Sequence, residues 1–266
     1  LASVRSRILI PGYAYLRISQ FRVNTGKKLE EEIEKLLTEN EAIEQPLKGM
    51  VLDLRNNPGG ILQASVGVVD AFLSEGQIVY TEGRMEQTDL DFSASHKTVA
   101  GNIPLVVLIN NGSASASEIV AGALQDHDRA IIMGTRSFGK GSVQTVLPLD
   151  DRRAIKLTTS LYFTPSGRSI QAQGIEPDIV VDEALVTRRS RNVTQYNESD
   201  LEGHLENGNG PHSENQRIAD ALISAEEVLV SDYPLNEALN VLKGINALKP
   251  AHSTNNSSSF AQGSLQ

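Results

Sequence analysis

The chain has 266 residues, of which 39% are hydrophobic and 21% charged, enough for one large globular domain or two modest ones. Its formal net charge of −9 argues against nucleic-acid binding, which usually requires a basic surface. It contains no cysteine, which excludes disulfides, thiolate nucleophiles and cysteine-based zinc sites, and no apolar stretch is long enough to span a membrane.

Strand and helix patterns alternate along residues 1–185. Apolar or alternating runs predict strands at 13–18, 50–54, 77–81, 104–110, 130–133, 142–147 and 154–161. Helical periodicity predicts helices at 25–37, 61–73 and 115–125. This order is typical of an α/β fold with parallel strand pairs and right-handed crossovers. We therefore expect one α/β domain over residues 1–185.

The remainder of the chain has a different composition. Residues 186–216 are mostly polar, which predicts an exposed arm or linker because so few apolar side chains cannot offset the entropy lost on folding. Amphipathic helices are predicted at 218–230 and 235–248, within a helical segment at 217–249. An isolated helix pair is marginal in water, so these helices must dock on the α/β core or on another subunit. Residues 250–266 carry no charged side chain and predict a flexible tail.

The stretch Asn111-Gly-Ser-Ala-Ser-Ala-Ser-Glu118 joins a predicted buried strand to a predicted helix. A serine at such a junction lies near a helix N-terminus, where outward-pointing backbone N–H groups favour negative charge. An acyl-transfer nucleophile with an oxyanion hole requires this setting. Ser115 and Glu118 also have the spacing of a helix capping box, which is a simpler interpretation. The three serines leave open which one would react.

A serine nucleophile needs a general base. Histidine is poorly placed, since His127 falls at the far end of the predicted helix, roughly 18 Å from Ser115 at 1.5 Å per residue. Lys140 is the remaining candidate, and its two glycine neighbours allow backbones to approach closely. On a strand, Lys140, Ser142 and Gln144 would face the same side, so that the Gln144 amide can hold the lysine amine without adding charge. The alternative is that Lys140 only projects into solvent.

Two other motifs overlap the same lysine. Residues 134–141 nearly match a phosphate-binding loop, but the last position is Gly instead of Ser or Thr, and strand-like residues follow where a helix is needed. Ser137 and Lys140 have the spacing of penicillin-recognising enzymes, but that motif also needs a helix, which the adjacent glycines disfavour. Neither motif is well supported.

The motif Asn56-Asn-Pro-Gly-Gly60 follows the predicted strand at 50–54. Its two glycines can present unblocked backbone N–H groups at the carboxyl end of a strand, where the sites of α/β proteins form. An ordinary turn is the alternative interpretation.

Together these motifs resemble the C-terminal processing peptidases, also called tail-specific proteases. The resemblance rests on residues 52–60, 111–119, 138–144, 163–170 and 174–178, which occur in family order and spacing over about residues 4–182. It implies a Ser-Lys endopeptidase whose core is related to the crotonase and Clp protease folds, followed here by a C-terminal helical segment. Neither a cofactor nor a metal is expected.

The resemblance also assigns roles to individual residues. It implies three catalytic side chains, namely Ser115 as nucleophile, Lys140 as base and Gln144 as the residue that orients the lysine. It implies an oxyanion hole formed by backbone N–H groups, one from Ala116 and one from either Gly59 or Gly60.

The resemblance leads to further expectations about the whole protein. Family members usually carry a PDZ domain before the segment that starts near Val4; none is recognisable here, so we expect a truncated or excised chain. We expect protein or peptide substrates cut at or near their C-termini in a bacterial periplasm, with or without membrane association. We also expect a homo-oligomer formed through the C-terminal helices, with an adaptor protein as a further partner.

Two alternative functions remain open. A crotonase-type acyl-group enzyme would share the glycine oxyanion loop but act on a thioester, and it would give Lys140 no role. A non-catalytic scaffold would keep the fold, and substituting Ser115 by alanine would then change no activity.

Overall fold

The computed structural model describes residues 3–83, 89–95, 98–184 and 232–248. Within these ranges the strands are β1 (Val4–Ile10), β2 (Tyr13–Ile18), β3 (Gly49–Asp53), β4 (Gln77–Gly83), β5 (Asp91–Ser93), β6 (Leu105–Ile109), β7 (Ile131–Gly134), β8 (Ser142–Asp150), β9 (Arg153–Phe163) and β10 (Ile179–Val180). The helices are α1 (Thr25–Ala42), α2 (Leu62–Asp70), α3 (Ala116–Asp126) and α4 (Tyr233–Leu248). Among these helices, none has both the length and the apolar character needed to cross a membrane.

A six-stranded sheet forms the centre of the fold, in the order β1-β2-β3-β6-β7-β10. Only β1 runs antiparallel to its neighbour; the other adjacent pairs are parallel. Strands β3 and β6 are buried along their whole length, as expected for central parallel strands covered on both faces. The predicted mixed α/β fold with parallel pairs is confirmed.

Helices cover both faces of this sheet. Successive strand residues point to opposite sides, so the apolar central strands present an apolar surface to the helices on each face. Leu52 of β3 faces the larger core, which contains the apolar side chains of α1, α2 and α3. Its neighbour Val51 faces a second core beneath α4. That second core is built from buried residues of α4 and of three strands, namely Leu235, Ala238, Leu239 and Leu242 against Val51, Val106, Leu108 and Met133.

A second sheet, in the order β5-β4-β9-β8, is antiparallel throughout. Strands β8 and β9 form a long hairpin that begins two residues after Lys140. Several of its apolar side chains are exposed, including Val146, Leu149 and Leu157. The hairpin therefore extends from the region of the candidate base into solvent.

Every helix and strand predicted within the described residues is present, with ends shifted by a few positions. Strands β1, β5 and β10 were not predicted, and each is an edge strand of its sheet. The predicted arm at 186–216, the helix at 218–230 and the tail at 250–266 lie outside the described residues. Helix α4 docks its apolar face on the core of its own chain, which is one of the two docking modes that the sequence left open.

Candidate active site

Three loops meet at the carboxyl ends of β3, β6 and β7. Two hydrogen bonds of the Asn110 side chain join the loops after β3 and β6: the Asn56 backbone N donates to Asn110 Oδ1 at 2.8 Å, and Asn110 Nδ2 donates to Asn56 Oδ1 at 3.1 Å. The loop after β7 joins them because Phe138 N donates to Ser113 O at 3.0 Å. The three sequence motifs that carry the predicted site residues are thus brought together at one edge of the sheet.

Ser115 lies at the turn between the loop after β6 and helix α3. Its backbone has φ 56° and ψ −112°, a left-handed conformation that residues other than glycine rarely adopt. Such a conformation costs free energy and persists only where surrounding contacts enforce it. The residue predicted to be the nucleophile is therefore held in a disfavoured backbone conformation at a helix N-terminus.

Gly59 packs directly against the backbone of this turn. A Cβ atom at this position would lie 2.6 Å from Ala114 O and 2.9 Å from Ser115 Cβ, and Gly59 also has a φ of +95°. At Gly60 a Cβ atom would lie 2.0 Å from Phe21 O. Contacts this short are impossible for a side chain, so position 59 requires glycine for the loop to approach Ser115, and position 60 requires it for the loop to approach the backbone of Phe21.

The backbone N–H groups around Ser115 differ in whether they already have an acceptor. Gly59 N donates to Asn57 Oδ1 at 3.0 Å. Within the described part of the chain, Gly60 N and Ala116 N have no hydrogen-bond acceptor. Of the predicted oxyanion donors, Gly60 and Ala116 are therefore available in this structure, whereas Gly59 is engaged.

Glu118 connects the loop that carries Ser115 to the loop that carries Lys140. Its carboxylate is fully buried. Oε2 accepts hydrogen bonds from Ser115 N at 2.7 Å and from Lys140 N at 2.9 Å. Oε1 accepts from Ser137 Oγ and from Gly139 N, both at 2.6 Å. The sequence indicated Glu118 only as half of a capping box; the structure shows that its carboxylate also binds the segment that carries Lys140.

Lys140 and Gln144 are placed differently from each other. The backbone of Lys140 is tied to Glu118, and its side chain is half-buried. Gln144 lies on β8 and is exposed, and the described contacts include no hydrogen bond from its side chain to Lys140, nor one between Lys140 Nζ and Ser115 Oγ. Because β8 begins at Ser142, the strand alternation relates Gln144 to Ser142 but does not extend to Lys140.

The structure decides against the competing motifs at the same lysine. Residues 135–141 form a loop that leads into a strand, so the helix required by a phosphate-binding loop or a penicillin-recognising motif is absent here. The Ser137 hydroxyl is buried, donates to Glu118 and accepts from Ile175 N at 2.7 Å. His127 lies beyond the far end of α3 and contacts Gln77 O at 2.7 Å, too far away to serve Ser115.

A cluster of ionic side chains borders the loop at 56–60, and the sequence did not predict it. Asp53 is fully buried. Its carboxylate accepts hydrogen bonds from Tyr15 Oη at 2.7 Å, from Arg17 Nη1 at 2.8 Å and from the Arg55 guanidinium. Burial, followed by the charge and hydrogen bond of Asp53, raises the pKa of Tyr15 to about 12. Asp232, from the turn before α4, completes the cluster by pairing with Arg55. No local pattern connects residues so far apart in the chain.

Comparisons with known proteins agree with the motifs. The profile of Peptidase family S41 matches residues 12–181. A carboxy-terminal-processing protease of Bartonella bacilliformis is 46% identical over 230 residues, covering 86% of this chain and 52% of that protein. A carboxyl-terminal-processing protease of Synechocystis is 44% identical over 173 residues, covering 65% of this chain and 39% of that protein.

A solved structure is similar as well. The photosystem II D1 C-terminal processing protease matches with a TM-score of 0.61 at 34% identity, covering 68% of this chain and 49% of that one. The present chain therefore spans about half the length of these relatives or less.

Proposed function

This chain belongs to peptidase family S41, as its motifs predicted, and on that basis we propose that it is a serine endopeptidase with Ser115 as nucleophile and Lys140 as general base. One observation carries the proposal. The backbone N–H groups of Ser115 and Lys140 donate to the same oxygen of Glu118, at 2.7 and 2.9 Å, while Gly59 packs against Ser115. These contacts support the proposal because they bring the backbones of Ser115 and Lys140 and the loop at 56–60 close to one another.

Acylation would begin with attack of Ser115 Oγ on the carbonyl carbon of the scissile peptide bond. The hydroxyl proton passes to the amine of Lys140, and the N–H groups of Gly60 and Ala116 donate to the oxyanion that forms. Collapse of the intermediate breaks the C–N bond, and Lys140 returns the proton to the leaving amine. Water then attacks the acyl-enzyme with Lys140 again as base, which releases a new carboxylate and regenerates Ser115.

Processing at or near the C-terminus of protein substrates is the proposed activity of the whole protein. It is supported by the names of the relatives, which are carboxy-terminal-processing proteases. A bacterial periplasm is the proposed location, supported by bacterial relatives and by a sequence without cysteine. An adaptor protein and a homo-oligomer remain proposals for partners.

The proposed homo-oligomer cannot use the buried face of α4 unless the helix is exchanged between subunits, because that face already packs on the core of its own chain. Light scattering of the full chain tests this proposal. A monomer at tens of micromolar would overturn it.

The mechanism predicts that Ser115→Ala and Lys140→Ala each abolish digestion of casein by a folded protein. Loss of the base alone should lower the rate by about 100- to 10,000-fold. The matched control is Lys156→Ala, which removes an exposed lysine from the neighbouring hairpin and should leave the rate unchanged. Far-UV circular dichroism and thermal unfolding establish that each variant is folded.

Other outcomes would support the alternative functions. Unchanged proteolysis by Ser115→Ala would exclude this serine as nucleophile and favour a scaffold. Turnover of a thioester that does not depend on Lys140 would favour a crotonase-type enzyme. A pH–rate profile controlled by a group that titrates near pH 6.5 would indicate histidine as the base.

A further inference from the structure

The candidate oxyanion loop begins directly after Arg55, and the Arg55 guanidinium lies between two carboxylates. On one side, Nε and Nη2 donate to Asp53 at 3.0 and 2.7 Å. On the other side, Nη1 and Nη2 donate to Asp232 at 2.8 and 2.7 Å. Asp232 follows Arg55 by 177 positions in the sequence. The C-terminal segment therefore supplies half of the ionic contacts that hold the residue before the loop.

The charges of the cluster balance only when Asp232 is present. Two guanidinium groups, Arg17 and Arg55, face the two carboxylates of Asp53 and Asp232. Burial opposes the charged form of Arg55, but hydrogen bonds and charge from the two carboxylates outweigh it and raise the pKa of Arg55. Without Asp232, the guanidinium groups of Arg17 and Arg55 would share the single carboxylate of Asp53. The cluster would then carry one uncompensated positive charge.

Helix α4 holds the Asp232 carboxylate in place. Asp232 Oδ1 accepts a hydrogen bond from Leu235 N at 3.1 Å, and the Asp232 carbonyl accepts from Asn236 N at 3.0 Å, so the residue caps the helix. At the other end of α4, Asn246 Nδ2 donates to Lys48 O at 2.8 Å. Together with its buried apolar face, these contacts fix α4 to the sheet at both ends.

A displacement of Arg55 would be transmitted to the site through a short path. Arg55 is followed by Asn56, which has a left-handed backbone, and then by Asn57. The carbonyl oxygen of Asn57 accepts from Ala114 N at 3.0 Å and from Ser117 Oγ at 2.9 Å. These acceptor contacts lie on either side of Ser115 in the sequence.

Building on the proposed protease function, we propose that Asp232 is a positioning residue: through its paired contact with Arg55, it holds the loop at 56–60 against Ser115. Asp232 touches no reacting atom in this arrangement. It acts by keeping the Gly60 N–H where the oxyanion forms. The C-terminal helix is thereby a part of the catalytic apparatus as well as a cover for the sheet.

The test compares Asp232→Asn with Glu237→Gln in the full chain. One substitution turns the carboxylate just before α4 into an amide, and the other does the same to a carboxylate in the first turns of α4. No ion pair of Glu237 with Arg55 exists among the described residues. We expect Asp232→Asn to lower kcat for a peptide substrate by about tenfold or more, with less than a twofold change in KM. Amide hydrogen exchange at 56–60 should become faster. Glu237→Gln should match the wild type in both measurements, and Asp232→Glu should recover part of kcat.

A folded Asp232→Asn protein with wild-type kcat and wild-type exchange at 56–60 would overturn the proposal. If Asp232→Asn does not fold, Asp232→Glu takes its place, because it keeps the charge but displaces the carboxylate. Hydrogen exchange also separates this proposal from the proposed function. An inactive wild type would refute the protease function, while the exchange at 56–60 would still decide whether Asp232 holds the loop.

Discussion

Two buried carboxylates flank the candidate site, and they are stabilised in different ways. Glu118 accepts hydrogen bonds from three backbone N–H groups and one hydroxyl, all uncharged, of Ser115, Ser137, Gly139 and Lys140. Asp53 instead lies among guanidinium groups, and the cluster is completed by Asp232, at the start of the last described range. Both arrangements satisfy a buried charge, but they connect different parts of the molecule.

The difference indicates two separate tasks. Hydrogen bonds from neutral donors are directional and act only at short range, so Glu118 sets the relative placement of the two backbone segments that carry Ser115 and Lys140. Ion pairs act over longer distances and hold separate segments together, but they weaken with salt and with protonation. We expect the Glu118 contacts to determine the geometry of the dyad and the Asp53–Arg55–Asp232 contacts to determine the attachment of the C-terminal helix.

The largest predicted effect is that of Glu118→Gln. Glutamine has only one acceptor oxygen, so its NH₂ group would face two of the four donors that now bind the carboxylate. Leaving buried donors without acceptors should lower the unfolding free energy by about 2–4 kcal/mol. Misplacement of Ser115 and Lys140 should lower kcat by about 100-fold or more. Urea unfolding and peptide kinetics measure the two effects.

The control for this substitution is Glu39→Gln, which changes an exposed carboxylate of α1 and should alter neither quantity. Because the donors to Glu118 are neutral, 1 M salt should not reproduce the loss caused by Glu118→Gln. Wild-type kcat in Glu118→Gln would contradict the expectation that Glu118, unlike the Asp53 cluster, sets the relative placement of Ser115 and Lys140.

The second prediction concerns the loop that lies between the two carboxylates. Gly59→Ala would place a methyl group 2.6 Å from Ala114 O, at a φ of +95°, and should lower kcat by roughly 10- to 100-fold. Gly101→Ala is the matched control, since it has a φ of +51° but nothing within 4 Å of the new methyl group. Both variants carry backbone strain, so only the first should lose activity beyond its loss of stability. Equal kcat values for the two variants would contradict the proposed role of the loop.

A smaller effect is predicted for Asp232, whose contribution to the unfolding free energy should depend on pH. Burial would raise the pKa of this carboxyl, but the hydrogen bonds and charge of Arg55 outweigh burial and lower it. Because the pKa of this carboxyl is lower in the folded state, its ionised form stabilises the fold fully at pH values above the unfolded-state pKa of about 3.9. That stabilisation is lost as the pH falls through the folded-state pKa. We expect wild type to exceed Asp232→Asn by about 1–2 kcal/mol in unfolding free energy at pH 7.

Urea titrations of both proteins at several pH values test this expectation. The difference should shrink on acidification below about pH 4 and also at high salt. A constant difference across this pH range would show that Asp232 stabilises the fold through its shape alone.

The smallest predicted effect lies outside both carboxylate regions. If the Gln144 amide orients Lys140 as the resemblance implies, Gln144→Ala should lower the rate only about three- to tenfold, because such an amide transfers no proton. Gln144→Glu should be the slower variant near pH 7, since a carboxylate favours the charged form of a nearby lysine. Peptide kinetics of both variants provide the comparison. Wild-type activity of Gln144→Glu would show that this side chain does not serve Lys140.

Much of the fold could be predicted because the central elements carry strong local patterns. The five residues of β6 are all apolar and bounded by polar or turn residues, which suffices to identify a buried strand. Edge strands carry weaker patterns: β10 has two residues and exists only through its pairing with β7. β1 contains polar positions that are exposed in the structure, so it lacked a continuous apolar signal.

The site could be predicted only as far as short motifs extend. Ser115 and Glu118 were identified together because their contact spans three positions and follows helix-capping chemistry. The contacts of Glu118 with Gly139 and Lys140 depend on how the loop after β7 folds back. The pairing of Arg55 with Asp232 crosses 177 positions, and only the docking of α4 brings the two together. Local sequence patterns contain no information about such a contact.

The position of Asp232 in the chain also has a temporal consequence during protein synthesis. The ribosome makes the chain from its N-terminus at about 5–20 residues per second, and Asp232 follows Lys140 by about 90 positions. Ser115 and Lys140, the proposed nucleophile and base, therefore leave the ribosome roughly 5–20 seconds before Asp232, which completes the Arg55 cluster. A nascent chain carries its reactive groups before it carries the residue proposed to align their oxyanion loop, so full activity would be delayed until α4 has docked.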